Sequence, residues 1–266
     1  QGSKGADPCY IINDDKNVIV ANYSGGNISV FAKKDDGSIS EAKQVVQHSG
    51  KGLNPNRQEA SHMHMVYFSP DKKYVLASDL GLDKVFIYQY NPSSKNEILQ
   101  LKESVSVKSG SGPRHLTFSK DGKYVYLVQE LDATLTTFSF DRNGNLKKIA
   151  ETNILPKGFQ GGTGAAAIKI SPDGKFLYVT DRVDVNAISV YRILRNGGLQ
   201  WIEQVSTLGK GPRDFAIDPS GNYLLVGNQY ANDIVIFKRN KATGTLTDTG
   251  KKIELCAPVC LVFTNN

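Results

Sequence analysis

The feature that most constrains this chain is an internal repeat. The segments MVYFSPDKKYVLASD, LTFSKDGKYVYLVQE, IKISPDGKFLYVTDR and FAIDPSGNYLLVGNQ superpose without a gap, and CYIINDDKNVIVANY is a shorter copy ahead of them. Each reads as an alternating strand, a polar turn and a second strand rich in Val, Leu and Tyr. A third alternating segment follows every time: NISVFAKK, KVFIYQY, TLTTFSF, AISVYRI and DIVIFKR. A polar turn and a weaker fourth strand complete the unit. The equivalent positions Cys9, His64, Arg114, Ala166, Arg213 and Val259 lie 55, 50, 52, 47 and 46 residues apart. Four antiparallel strands in about 50 residues is the blade of a β-propeller. A helical solenoid is excluded because the period is 2 and not 3.6. A β-sandwich would not repeat one turn motif at this spacing. The expected architecture is therefore all-β, with residues 1–266 forming a single propeller domain.

The strand count adds an expectation. Five complete four-stranded units are followed by a lone inner strand, Ala257-Pro258-Val259-Cys260-Leu261-Val262-Phe263, aligned with Gly112-Pro113-Arg114-His115-Leu116-Thr117-Phe118. A solitary strand leaves open edges, so the remaining strands of that blade are expected from the other terminus. The chain opens Gln1-Gly2-Ser3 and its two Met are Met63 and Met65. Both facts predict an N-terminal truncation, on the order of 40 residues at about 50 per blade.

A propeller also predicts which residues meet. The first position of each inner strand and the last of its neighbour face the mouth of the central channel. The first set is Cys9, His64, Arg114, Ala166 and Arg213; the second is Tyr23, Leu80, Glu130, Arg182 and Gln229. The long connection at residues 48–64 reaches the same face with Asn54, Arg57, Gln58, Glu59 and His62. A loop of that length without a strand pattern is more often functional than a routine connection. His115 lies one step from Arg114. The run Gln160-Gly161-Gly162-Thr163-Gly164 follows no strand-to-helix pattern, so it reads as close backbone packing and not as a phosphate loop. Cys256 and Cys260 read as buried strand residues.

Composition narrows the partners. The 32 Lys and Arg against 26 Asp and Glu leave a formal charge of +6, which suits an anionic small molecule. No basic run supports nucleic-acid binding, and no stretch of about 18 apolar residues supports a membrane span. Three cysteines without metal-ligand spacing predict a reducing compartment, the cytoplasm, and the lack of a carboxylate cluster with ligand spacing predicts neither a metal nor a cofactor.

The pieces ANYSGGNISVF, QHSGKGLNPNRQEASHMH, GSGPRHLTFSKDGKYVYLVQE, GKGPRDFAIDPSGNYLLVGNQ and the ending APVCLVF resemble the bacterial lactonase-type seven-bladed propellers across essentially the whole chain. That family includes a class of 6-phosphogluconolactonases and is similar to the fungal carboxymuconate lactonizing enzyme. The resemblance implies seven blades with one shared between the termini, raising the missing part to on the order of 90 residues. It implies hydrolysis of a sugar lactone, 6-phosphoglucono-δ-lactone in the pentose phosphate pathway. It also implies a site of one His, two Arg and one Glu, which match His64, Arg114, Arg182 and Glu130. His64 or Glu130 would act as general base and acid, and the arginines would hold the anion and the oxyanion. Arg57, Glu59, His62, His115 and Arg213 would bind substrate. Two alternatives stand beside this: lactonizing chemistry on an unsaturated dicarboxylate, and a non-catalytic propeller that binds partners through its face.

Overall fold

The computed structural model describes residues 1–95 and 97–264 and contains twenty strands in five four-stranded antiparallel sheets. The first holds β1 (Pro8–Asn13), β2 (Asn17–Asn22), β3 (Asn27–Lys33) and β4 (Ile39–Gln47). The second holds β5 (Met63–Phe68), β6 (Tyr74–Asp79), β7 (Lys84–Tyr90) and β8 (Leu99–Ser106). The third holds β9 (Pro113–Phe118), β10 (Tyr124–Gln129), β11 (Thr134–Phe140) and β12 (Leu146–Asn153). The fourth holds β13 (Thr163–Ile170), β14 (Phe176–Val183), β15 (Ala187–Ile193) and β16 (Leu199–Ser206). The fifth holds β17 (Pro212–Ile217), β18 (Tyr223–Asn228), β19 (Asp233–Arg239) and β20 (Leu246–Glu254). Every sheet is ordered as the chain runs, a plain meander.

The lone inner strand is the correction. Residues 257–263 form no strand, because none of the described strands offers them a ladder, and unpaired backbone does not hold strand geometry by itself. The segment is pinned instead at single points: Ala257 N donates to Asn232 Oδ1 (3.0 Å) and Leu261 N to Asp214 Oδ2 (2.9 Å). Cys256 and Cys260, expected in a buried strand, are exposed and lie outside any strand.

The chain divides into two compact units, residues 1–116 with 140–146, and residues 117–139 with 147–266. In the first, Ile19, Ile28, Val30, Val66, Val75, Tyr88 and neighbours form the apolar core. In the second, Phe176, Tyr178, Ile188, Val190, Phe215 and Val226 form one cluster, and Tyr126, Val128, Leu135 and Leu177 belong to another. Outer strands such as β12 are exposed along nearly their whole length and carry Lys147 and Lys148, charges of the kind that discourage edge pairing.

Three local devices recur. The first is the turn between inner strands. Ser69, Ser119 and Ser171 each donate to the Asp two residues on (2.6–2.7 Å) and accept the N–H of the residue that begins or adjoins the next strand (3.0–3.1 Å). In the fifth sheet the two side chains trade places: Ser220 donates back to Asp218, and Asp218 accepts Tyr223 N at 2.6 Å. The second is an extra residue in the inner ladder. Met63 faces Asp79 and Met65 faces Ser78, so β5 bulges at His64. β1 bulges between Pro8 and Tyr10, at Cys9; β17 between Pro212 and Asp214, at Arg213; and β13 between Ala165 and Ile168. A bulge re-aims a side chain that strict alternation would bury.

The third is a buried polar residue at or near the end of the second strand: Asn22, Asp79, Gln129, Asp181 and Asn228 are all within 1% of full burial. Asp79 accepts Ser61 Oγ (2.6 Å) and His62 N (2.9 Å), and Asp181 accepts Thr163 Oγ1 (2.5 Å) and Gly164 N (3.3 Å). Each carboxylate thus ties down the chain just ahead of the bulge.

Two measurements check these devices. Arg239, 3% exposed, pairs with Asp173 (2.9 Å) and donates to Tyr178 Oη (2.7 Å). Removing one partner of a buried pair leaves the other uncompensated. Arg239→Ala is expected to cost about 3 kcal/mol in chemical denaturation, and a loss below about 1 kcal/mol would contradict this reading. For Asp181, burial outweighs the hydrogen bonds from Thr163 and Gly164 and the Arg182 charge, and pushes its carboxyl up to about 6. The folded chain therefore holds this proton more tightly than the unfolded one. The resulting stability is full below the unfolded value of 3.8 and is lost as pH rises through about 6. Asp181→Asn should be more stable than the parent at pH 8, by on the order of 3 kcal/mol, with the gap closing toward pH 4. A pH-independent difference would contradict the burial of an ionising carboxyl.

Candidate active site

In the first unit an aromatic and cationic cluster assembles around His64. Strand β5 carries His62 just before its first residue, Met63, and the bulge turns out His64. His64 is 5% exposed and lies edge-on to two rings, Tyr23 (5.4 Å between centroids, 81°) and His115 (5.1 Å, 72°). Tyr23 stacks flat on His62 at 4.4 Å and 9°. Tyr10 closes the far side of His115, edge-on at 5.2 Å. Cys9, at the bulge of β1, donates its Sγ to the carbonyls of His64 (3.3 Å) and Met63 (3.5 Å).

A donor-only partner fixes one proton position. Arg114 Nη1 lies 3.3 Å from His115 Nε2. A guanidinium has only donors, so that nitrogen accepts and His115 carries its proton on Nδ1. His62 faces two acceptors, the Glu59 carboxylate from Nε2 (3.1 Å) and the Tyr23 carbonyl from Nδ1 (3.2 Å). The hydrogen bond from its own backbone N–H, then the one with His62 and, more weakly, the nearby Arg57 charge hold the Glu59 carboxyl below its ordinary range. Arg57 reaches Tyr23 Oη with Nη2 at 3.5 Å.

Buried polar side chains fold the connection that delivers these groups. Gln58, fully buried, donates from Nε2 to Leu80 O and Asp83 Oδ1 (2.8 Å each), and accepts Asn54 N (3.0 Å). Asp83 also accepts Gly110 N (2.7 Å) and Gly112 N (2.8 Å), which fixes the approach to Arg114. Gly81 permits the close approach of this connection: a Cβ there would sit 1.8 Å from Ala60 O. Arg114 itself is 1% exposed, the largest fully buried side chain of the described residues. Its guanidinium therefore works through His115 and through its charge.

In the second unit Arg182 Nη2 pairs with Glu130 Oε2 at 3.0 Å, both nearly buried. Arg182 Nε donates to Gly164 O at 3.0 Å. Gly164 stands inside β13, where a Cβ would meet Val183 at 2.9 Å, so the Gly-rich run serves close strand packing. Arg213 is half-buried at the bulge of β17. The adjacent Asp214 pairs with Lys169 (2.8 Å) and accepts Leu261 N. Among the described residues no group of three or more His, Cys, Asp or Glu could hold a metal ion, and no helix is long and apolar enough to cross a membrane.

Sequence reasoning had singled out His62, His64, Arg114, His115, Arg57 and Glu59, and the structure brings these six together with Tyr23. It missed Tyr10 as a wall of the cluster and Asp79 and Asp83 as its supports. The fourth histidine, His48, lies edge-on to Phe86 at 4.1 Å and pairs with Tyr88, where burial lowers its pKa; it is a packing residue.

Residues 1–263 match the model of the family described as Lactonase, 7-bladed beta-propeller. The chain is 35% identical over 263 residues to the 6-phosphogluconolactonase of Bacillus subtilis, covering 97% of this chain and 74% of that protein. It is 38% identical over 251 residues to the 6-phosphogluconolactonase of Formosa agariphila, covering 92% and 70%. Among solved structures, a Bacteroides fragilis protein superposes with a TM-score of 0.94 at 40% identity, covering all of this chain and 75% of that one. The periplasmic gluconolactonase PpgL of Pseudomonas aeruginosa superposes with a TM-score of 0.91 at 36% identity, covering 97% and 73%. With the blade-type sheets and the histidine cluster in place, these matches assign the chain to the seven-bladed β-propeller lactonase family.

Proposed function

We propose that the protein hydrolyses a sugar lactone, 6-phosphoglucono-δ-lactone, to the open-chain 6-phosphogluconate. The observation that carries this reading is the buried histidine cluster of the first unit, in a chain of the lactonase family. Ring opening needs a base for water, positive charge for the oxyanion, and a proton for the leaving ring oxygen. His64 takes the proton as the water oxygen bonds to the lactone carbonyl carbon. The bond from that carbon to the ring oxygen then breaks, and the His64 imidazolium returns the proton to the departing alkoxide. His115, held in one tautomer by Arg114, keeps its Nδ1–H as a donor. The engagement of Glu130 with Arg182 favours His64 over Glu130 as the base. Glu130 and Arg182 enter the reading through the family resemblance, and the assay below decides whether they take part.

The phosphate is the second part of the reading. Arg57 supplies positive charge beside Tyr23, whose ring offers a face to a sugar. The cytoplasm is the proposed location: the chain has only three cysteines, and Cys256 and Cys260 are exposed thiols outside any strand, which suits a reducing compartment, and fractionation of cells tests it.

The test is proton release from freshly prepared 6-phosphoglucono-δ-lactone after subtracting spontaneous hydrolysis. His64→Ala is expected to lower kcat by roughly 10²–10⁴, the range for a lost general base. Arg114→Ala, which removes the charge beside His115 and the partner of its Nε2, is expected to lower it by about 10²–10³, and an equal loss in Glu130→Ala would bring the Arg182 pair into the reaction while an unchanged rate would remove it. Arg57→Ala should raise KM for the phosphorylated lactone with kcat little changed, and leave the unphosphorylated lactone unaffected. A folded wild-type protein with no rate above background would overturn the activity, and an unaltered His64→Ala would overturn the base.

A further inference from the structure

Asp181 has no part in the chemistry described above, yet it lies next to Arg182, which the family resemblance places in the site. It is 1% exposed, two residues before the end of β14, and accepts the Thr163 hydroxyl (2.5 Å) and Gly164 N (3.3 Å), both through Oδ2. The carbonyl of the same Gly164 accepts Arg182 Nε at 3.0 Å, and Arg182 continues to Glu130. Gly164 is thus held by Asp181 on its N–H and by Arg182 on its C=O. A planar guanidinium presents its donors in a fixed fork. Fixing the acceptor for Nε therefore fixes the direction in which Nη2 points at Glu130.

The second sheet contains the same clamp. Asp79 accepts a hydroxyl (Ser61) and the following N–H (His62), in the register that Asp181 uses with Thr163 and Gly164. There the clamped residue is His62, which contacts Glu59 and Tyr23. Two repeats thus place an aspartate where it ties down the entry to the bulged strand. The first, third and fifth sheets have Asn22, Gln129 and Asn228 in that place, and Asn228 reaches Thr207 O and Asp233 instead.

We infer that Asp181 is a positioning residue, which orients the Arg182–Glu130 pair by clamping the Thr163–Gly164 backbone. It touches no reacting atom, and it acts only as a hydrogen-bond acceptor. The inference rests on the lactonase reading for its effect on turnover, but not for its effect on Arg182.

The experiment compares Asp181→Ala, Asp181→Asn and Thr163→Val in the full chain, with two readouts. One is lactone turnover. The other is hydrogen exchange of the Arg182 Nε–H, followed by NMR and assigned with Arg182→Lys. Asp181→Ala and Thr163→Val are expected to lower kcat/KM roughly ten- to a hundred-fold, as a slightly misplaced group does, and to speed Nε–H exchange. Asp181→Asn keeps an acceptor oxygen and is expected to recover most of both. Should Asp181→Ala fail to fold, Thr163→Val gives the same comparison, since it removes one hydroxyl at the end of a strand. Unchanged Nε–H exchange in the folded variants overturns the inference, as does unchanged turnover in an otherwise active enzyme, or failure of Asn to recover the exchange rate. A wild type without lactonase turnover overturns the reading of the activity, while the exchange measurement still decides the role of Asp181.

Discussion

The entry to each inner strand is the point on which the candidate site depends. A strand that kept strict alternation would send His64 to the same side as Val66, into the apolar core. The extra residue between Met63 and Met65 breaks that alternation and sets His64 against Tyr23 and His115. A bulge interrupts ladder hydrogen bonds, so the chain ahead of it needs another anchor. Asp79 supplies one through Ser61 and His62, and Asp181 supplies one through Thr163 and Gly164. The same repeat therefore makes the blade and aims the chemistry.

What varies from repeat to repeat is the side chain at the bulge. Cys9, His64, Ala166 and Arg213 occupy or adjoin it in four sheets, and Arg114 stands at the aligned position of β9. The backbone device is shared, so a His, an Arg or an Ala can occupy this position without changing the surrounding ladder. Function on such a scaffold is written at a handful of positions. In the first unit those positions combine with a loop held by Gln58 and Asp83, whose buried hydrogen bonds replace the secondary structure that residues 48–62 lack.

The blade pattern was legible in the residues because alternation and the Ser-x-Asp turn are local. The turn's Ser and Asp bond to each other and to the next strand within a few residues, so their spacing alone encodes the geometry. The histidine cluster was legible for a different reason, since repeated positions must recur in space. The bulge was not, because one inserted residue leaves an alternating sequence nearly unaltered and shows only in the pairing register. The buried anchors were missed by one position. The mouth positions Tyr23, Leu80, Glu130, Arg182 and Gln229 each follow by one residue the buried anchors Asn22, Asp79, Gln129, Asp181 and Asn228. The strand expected at 257–263 failed because inner-strand sequence is not sufficient without a partner to pair with.

The most direct test of this account is a crystal structure of the protein soaked with the product, 6-phosphogluconate. The bulge at the inner-strand entry is held to aim the reactive groups, so ligand density is expected against His64, with the phosphate near Arg57 and His62. Ordered ligand elsewhere on the protein, with the His64 cluster unoccupied, would contradict it.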